Sequence, residues 1–128
     1  MTMHKLKLVL LPGLYAVCRL HKDASVPAWA SPGEFLSITR TAEELSVVCS
    51  QNLVPDDVRC ERGWRCLRVA GTMDFSMVGV VASLVTPLAD ARVSVLVVST
   101  FDTDYMLVKE SDLERALTAL RTAGHVIG

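Results

Sequence analysis

The sequence predicts an α+β fold in which strands and helices follow the order βαββαβ. Residues 66–128 contain short runs of apolar, largely β-branched residues, which favour strands. Two further stretches place apolar residues every three or four positions, which is the spacing of amphipathic helices. With 128 residues, 51% of them hydrophobic, the chain can form one compact domain or two very small units sharing a core. The element order is that of ferredoxin-like folds.

Short strands are predicted along the first half of the chain. Apolar runs indicate strands at 6–11, 14–20, 35–41 and 45–49, with Pro12 and Gly13 forming a turn after the first. The run at 14–20 is either a second strand or the same strand beyond a bulge. Residues 27–29 are expected to form one helical turn. Residues 52–65 are polar and irregular, so we expect a linker there.

The second half alternates strands with helices. A strand is predicted at 66–70, and a helix runs from about Ser76 to 88 with Asp74 or Ser76 as its N-cap. Pro87 falls in the last turn of that helix and is expected to bend it. Strands at 93–98 and 105–109 follow.

The final helix has signals at both ends. Ser111 to Glu114 has the pattern of a capping box, and Gly124 is placed to end the helix. Residues 125–128 can then add an edge strand.

An internal repeat is indicated by shifting the chain by sixty positions, which lays Leu36 on Leu96 and Val47 on Leu107. The alternative is that any two hairpins align this well. At this offset Glu43 and Glu44 match Thr103 and Asp104 and are expected to be solvated. The repeat predicts two units, a reduced one at 1–62 and a complete one at 63–128.

Composition excludes several classes of function. A net charge of −1 without a basic run argues against nucleic acid, and 5% aromatic residues argue against a stacking surface. The four cysteines and three histidines show no metal-ligand spacing or catalytic pairing, so we expect buried thiols and no metal or cofactor. No signal peptide or spanning segment is evident, which favours a cytoplasmic protein without membrane contact.

Several runs resemble ACT domains, especially the regulatory ones of aspartate kinases. These runs are GTMDFSMVGVVASL at 71–84 and PLADARVSVLVVST at 87–100. The run STFDTDYMLVKESDL at 99–113 is similar to tandem-ACT proteins that include the cytosolic arginine sensors. LPGLYAV at 11–17 and TRTAEELS at 39–46 are similar to short bacterial two-ACT proteins. The resemblance implies paired sheets, a free amino acid or similar effector as ligand, and no catalysis.

A free amino acid needs an anion site and a cation site a few ångströms apart. The start of the first helix, at 75–79, is expected to attract the carboxylate, and Asp102 and Asp104 are available for the ammonium. Each of these residues also has a purely structural alternative. Gly79 would only permit tight packing of the helix on the sheet, and Asp74 would only cap the helix. Asp102 would only hydrogen-bond to the backbone of its own turn. The candidate ligand-binding residues are Asp74, Phe75, Ser76, Met77, Val78, Gly79, Ser99, Thr100, Phe101, Asp102, Thr103 and Asp104.

The sequence therefore favours an amino-acid-binding regulatory protein without activity of its own as an enzyme. A homodimer is expected because the sheets leave open edges. A regulated enzyme is a further possible partner. The alternative is an ACT-fold interaction module that binds no small molecule.

Overall fold

The computed structural model describes residues 4–71 and 78–128. The chain forms two compact units, one made of Met1–Pro12 and Arg65–Gly128, and one made of Gly13–Trp64. We call the first the outer unit, because it contains both ends of the sequence, and the second the inner unit, because it lies between those two segments in the sequence. The division expected from the repeat was 1–62 and 63–128. It differs from the observed one mainly in the N-terminal segment, which joins the outer unit because its strand pairs there.

The secondary structure of the described residues alternates strands with short helical segments. None of the helices among these residues is long and apolar enough to cross a membrane. In chain order the elements are β1 (Lys7–Leu10), β2 (Tyr15–Leu20), β3 (Ser37–Arg40), β4 (Leu45–Ser50), β5 (Cys60–Val69), α1 (Val80–Asp90), β6 (Leu96–Ser99), β7 (Asp104–Lys109), α2 (Leu113–Thr122) and β8 (Val126–Ile127).

The outer unit has the predicted βαββαβ order, from β5 through α1, β6, β7 and α2 to β8. Its strands lie side by side in the order β6, β7, β5, β1, β8. β1 runs antiparallel to β5, with Leu8 opposite Val69, and parallel to β8, with Leu8 opposite Ile127. The N-terminal segment therefore completes a sheet whose other strands come from the second half of the chain.

The core of the outer unit forms where α1 and α2 pack on this sheet. Leu84 and Leu88 of α1 and Leu120 of α2 are fully buried, as are Leu8 and Leu67 of the sheet. Burial of each such side chain contributes about 1.5–3 kcal/mol, so the apolar faces predicted from helical spacing are what hold the helices to the sheet.

Helix α1 begins later than predicted and contains a proline in its last turn. Its N-cap is Gly79, with φ of +83°, whereas the predicted N-caps Asp74 and Ser76 lie outside the described residues. Pro87 lies inside the helix and has no N–H to donate to the carbonyl of Ser83. His125 supplies the missing donor, because its Nε2 lies 2.8 Å from that carbonyl oxygen.

The end of α2 places His125 in this position. Gly124 has φ of +99°, and its N–H donates to the Arg121 carbonyl at 2.9 Å, while the His125 N–H donates to the Leu120 carbonyl at 3.1 Å. These two bonds are a Schellman motif, so the prediction that Gly124 ends the helix is confirmed. His125 Nδ1 accepts the Leu6 N–H at 3.1 Å, which leaves the proton on Nε2 for Ser83.

The predicted capping box at the start of α2 is wrong. The N-cap is Asp112, and its side chain makes no capping hydrogen bond. A 3₁₀ turn at Glu110–Asp112 leads directly into the helix, so its residues already have helical conformation. The Asp112 carboxylate instead accepts a hydrogen bond from Arg115 at 3.0 Å.

The inner unit is built from strands β3, β4 and β2 and the first residues of β5, in that order. Short 3₁₀ turns at Ala28–Ala30 and Gln51–Leu53 stand where the outer unit has α1 and α2. The first turn lies close to the reduced helix predicted at 27–29. The linker prediction for 52–65 is wrong beyond residue 59, because β5 begins at Cys60.

The two hairpins do repeat, but with an offset of 59 residues and not sixty. Arg40 lies opposite Leu45 in the first hairpin, and Ser99 lies opposite Asp104 in the second. Both turns are closed by a hydrogen bond of 2.9 Å from the threonine N–H, Thr41 to Glu44 and Thr100 to Thr103. The structural equivalent of Asp104 is therefore Leu45, and the match to Glu44 expected from the sequence is wrong.

The role of His125 can be tested with Pro87. We expect His125→Ala to lower the free energy of unfolding by about 2–3 kcal/mol, since it removes the hydrogen bonds of the ring with the Ser83 carbonyl and the Leu6 N–H. In a Pro87→Ala background, the alanine introduced there has a backbone N–H that can reach the Ser83 carbonyl, so the same substitution should cost about 1 kcal/mol less. Urea unfolding of the four chains measures the difference. An equal cost in both backgrounds would contradict this account.

Candidate ligand-binding site

Two of the predicted site segments lie at the same edge of the outer unit's sheet. β5 ends at this edge, α1 begins after it, and the turn between β6 and β7 returns to it. The hydroxyl of Thr103 donates to the carbonyl of Val69 at 2.8 Å, which fixes the turn against the end of β5. The antiparallel order thus brings residues 99–104 to the edge where α1 starts.

The turn itself is held by its threonines. The Thr100 hydroxyl donates to the Thr103 carbonyl at 3.0 Å and accepts the Thr103 N–H at 3.3 Å. Phe101 and Asp102 form the tip, and Phe101 is 80% exposed. Thr100 and Thr103 therefore shape the turn, and the predicted ligand role of Asp102 stays a prediction for an exposed carboxylate.

Asp104 is the unusual residue of this edge. It is only 5% exposed, although it is the first residue of β7 and carries a carboxylate. Its Oδ1 accepts a hydrogen bond of 2.5 Å from the hydroxyl of Ser99, the residue opposite it on β6. Its equivalent in the inner unit is the fully buried Leu45. A carboxylate thus occupies a position where the same hairpin elsewhere holds an apolar side chain.

The start of α1 is the second part of the edge. Gly79 adopts a left-handed conformation, with φ of +83°, which strongly favours glycine. The first hydrogen bond within the helix runs from the Ser83 N–H to the Gly79 carbonyl. The N–H groups of residues 80–82 therefore have no acceptor within the helix. Such groups and the helix dipole favour an anion.

Contacts from the N-terminal segment hold the start of α1 in place. The His4 N–H donates to the Ser83 hydroxyl at 2.8 Å, and the ring Nε2 of His4 lies 2.7 Å from the Val78 carbonyl. The Ser83 hydroxyl donates in turn to the Gly79 carbonyl at 2.8 Å. The sequence prediction missed these supporting residues. Pro87, four positions after Ser83, lacks the N–H that a helix directs to the Ser83 carbonyl, and it is the sequence signal from which Ser83 could have been found.

The structure describes only part of the predicted site. Asp74, Phe75, Ser76 and Met77 lie outside the described residues. Val78, Gly79 and residues 99–104 are described.

The described side chains show no arrangement typical of a metal site. Among residues 4–71 and 78–128, no group of three or more His, Cys, Asp or Glu side chains is placed to hold a metal ion. Burial raises the pKa of the Cys66 thiol in β5 to about 12, so that sulfur stays protonated and unreactive near neutral pH.

A substitution at Asp104 separates a structural role from a binding role. We expect Asp104→Leu, which copies Leu45, to raise the free energy of unfolding by about 1 kcal/mol, because it removes a buried charge and leaves Ser99 free to bond water. Asp102→Leu, at the exposed tip, should stay within about 0.5 kcal/mol of the parent. Urea unfolding measures both. A marked loss of stability for Asp104→Leu would show that Asp104 is a structural residue.

Comparison with known families identifies matches to both units. A family model described as an ACT domain matches residues 59–122, and a second model, described as an N-terminal domain, matches residues 13–57. The human cytosolic arginine sensor for mTORC1 subunit 1 is 31% identical over 98 residues, which cover 68% of this chain and 30% of that protein. The chain thus spans about 30% of the length of the curated relatives it matches.

Solved structures show the same fold. A protein from Agrobacterium tumefaciens superposes with a TM-score of 0.93 at 42% identity, covering 98% of this chain and 93% of that one. The regulatory subunit of aspartate kinase from Thermus flavus superposes with a TM-score of 0.63 at 10% identity, covering 91% and 95%. At that identity the likeness concerns the fold alone. The ACT model covers half of the chain, from β5 to the end of α2, and the chain therefore belongs to the ACT domain family.

Proposed function

We propose that this protein is a cytoplasmic regulatory protein without catalysis of its own, and that it binds a free amino acid at the edge formed by α1 and the β6–β7 turn. The observation that carries the proposal is Asp104, a buried carboxylate at a position where the equivalent hairpin has Leu45. Burying a charge costs free energy unless a partner compensates it. A ligand ammonium is a suitable partner.

The start of α1 is the proposed binding site for the carboxylate of the amino acid. The ligand carboxylate would accept hydrogen bonds from the N–H groups that follow Gly79, where the helix dipole favours negative charge. Gly79 has no side chain, which permits close approach of a ligand to its backbone. Val78, Gly79, Ser99 and Asp104 are the described residues to which we assign contact, and Asp74 to Met77 are proposed to complete the site.

The free energy expected from these hydrogen bonds matches the binding affinity of a metabolite sensor. Each charge-assisted hydrogen bond contributes about 1.5–3 kcal/mol. Three or four such bonds account for the roughly 4–8 kcal/mol that corresponds to millimolar or micromolar affinity. Affinity in this range suits reversible sensing of a metabolite.

The relatives support this class of ligand. One curated relative is named as an arginine sensor, and a structural neighbour is a regulatory subunit of aspartate kinase. The first name describes the sensing of an amino acid, and the second describes the regulation of an enzyme. We propose that occupancy of the site is transmitted to a partner, such as a regulated enzyme.

Binding can be tested by measuring the Tm of the full chain with each of the twenty amino acids at millimolar concentration. A ligand present at about 100 times its Kd should stabilise the protein by about 2.7 kcal/mol. We expect at least one amino acid to raise the Tm, and Asp104→Asn to abolish the increase. Asp102→Asn is the matched control, since it removes a carboxylate two residues away at the exposed tip.

Two outcomes would count against the proposed function. One is that none of the twenty amino acids changes the Tm, which would favour an ACT-fold interaction module. The other is that Asp104→Asn binds as well as the parent chain, which would move the ligand to a different site.

We further propose a homodimer formed through β6. Among the described residues β6 pairs with β7 alone, so its other edge offers unpaired backbone groups, and Leu96 on it is partly exposed. Sedimentation equilibrium should give twice the mass of one chain, and Leu96→Lys should shift the protein toward the monomer. A monomeric parent chain, or a dimer unaffected by Leu96→Lys, would contradict this assignment.

A further inference from the structure

Three thiols of the inner unit meet on one side of its sheet. Cys18 lies on β2, Cys49 on β4 and Cys60 on β5, and none of them is in a disulfide. Cys18 and Cys49 belong to the buried core of the inner unit, and Cys60 packs against that core. We call Cys18, Cys49 and Cys60 the thiol cluster. Neither the proposed amino-acid site nor the ACT fold explains why three sulfurs should lie together.

The register of the strands determines which two cysteines can form a disulfide. Cys18 lies directly opposite Cys60 in the antiparallel pair of β2 and β5. In the adjacent pair the Arg19 N–H donates to the Arg59 carbonyl at 2.9 Å, so Cys18 and Cys60 form a pair without backbone hydrogen bonds. The Cα atoms of such pairs are about 4.5 Å apart, which is within the roughly 4.4–6.8 Å that a disulfide spans.

Cys49 is less well placed to join Cys18. The residue opposite Cys18 on β4 is Val47, and Cys49 lies opposite Ala16. Cys49 is therefore a diagonal neighbour of Cys18, at a typical separation of about 7–8 Å, beyond the ordinary reach of a disulfide. The register selects Cys60 as the partner of Cys18.

Cys60 is the solvent-accessible member of the thiol cluster. Cys60 is partly exposed, whereas Cys18 and Cys49 are fully buried. Side chains alternate between the two faces of a strand, so Arg19 and Glu61 point away from the face that holds the thiols. The exposed part of Cys60 is therefore the place where a small hydroperoxide can reach the cluster.

We propose that Cys18 and Cys60 are a redox-active pair that a hydroperoxide converts into a reversible cross-strand disulfide. The Cys60 sulfur attacks one peroxide oxygen, the O–O bond breaks, and the leaving oxygen takes up the thiol proton to depart as water or an alcohol. Cys60 is then a sulfenic acid. The Cys18 sulfur attacks the Cys60 sulfur, the S–S bond forms, and the hydroxyl leaves as water with the Cys18 proton. The two sulfurs lose one electron each, and the peroxide gains both.

The division of roles follows from burial. Desolvation, with the neighbouring Cys49 and Cys60 thiols, raises the pKa of Cys18 to about 12, and burial also raises the pKa of Cys49. Both thiols stay protonated near neutral pH and make poor first nucleophiles. Cys60, the partly exposed member of the cluster, therefore meets the oxidant, and Cys18 resolves the intermediate.

The proposal is tested by treating the reduced full-length chain with an equimolar amount of hydrogen peroxide and mapping its peptides without reduction. We expect a mass lower by two hydrogen atoms, a peptide linking Cys18 to Cys60, and alkylatable thiols at Cys49 and Cys66. The disulfide closes a long loop, so the oxidised chain should melt about 5–15 °C higher than the reduced chain. Dithiothreitol should reverse both changes.

Variants make the test specific. Cys18→Ser should leave the sulfenic acid of Cys60 trappable with dimedone, and Cys49→Ser should still form the disulfide. Cys66→Ser is the matched control, because it removes a buried thiol outside the cluster. A disulfide between Cys18 and Cys49, a wild-type chain that accumulates oxidised Cys60 without a disulfide, or thiols that resist peroxide altogether would each overturn the proposal. Because the parent chain is mapped directly, a variant that misfolds does not remove the test.

Discussion

The pairing of β1 with β5 and β8 is the interaction on which the outer unit depends. It inserts the N-terminal strand into a sheet whose other strands come from much later in the chain, with Leu8 opposite both Val69 and Ile127. The same segment also supports α1, because the backbone of Leu6 bonds to His125 and His4 bonds to Ser83. The N-terminal segment therefore both completes the sheet and holds the start of α1 at the candidate site. Loss of this strand should disturb both together.

The described part of the fold shows which features local sequence determines. The end of α2 at Gly124 and the apolar faces of the helices follow from short-range patterns, and both were predicted correctly. The place of β1 and the pairing of Cys18 with Cys60 depend on long-range strand order, which no local pattern specifies. The repeat was misaligned by one residue because β4 and β7 each contain three consecutive buried apolar residues, so apolar positions still match after a slip of one.

The corrected register changes the interpretation of the two units. Turns closed by Thr41 and Thr100 are alike, yet the residue that follows each turn is Leu45 in one and Asp104 in the other. The inner unit also has 3₁₀ turns in place of both helices, so it lacks the helix start that would face an anion. The units thus carry different chemistry on a shared hairpin plan: an acidic edge in the outer unit and a cluster of thiols in the inner unit.

The most direct test of the central claim is a titration followed by ¹⁵N–¹H correlation NMR, in which the full chain receives the amino acid that raises its Tm most. The account predicts that the largest shift changes fall on the amides of Gly79, Val80 and residues 99–104, with small changes in the inner unit between Gly13 and Trp64. Changes confined to the inner unit, or none at saturating amino acid, would contradict it.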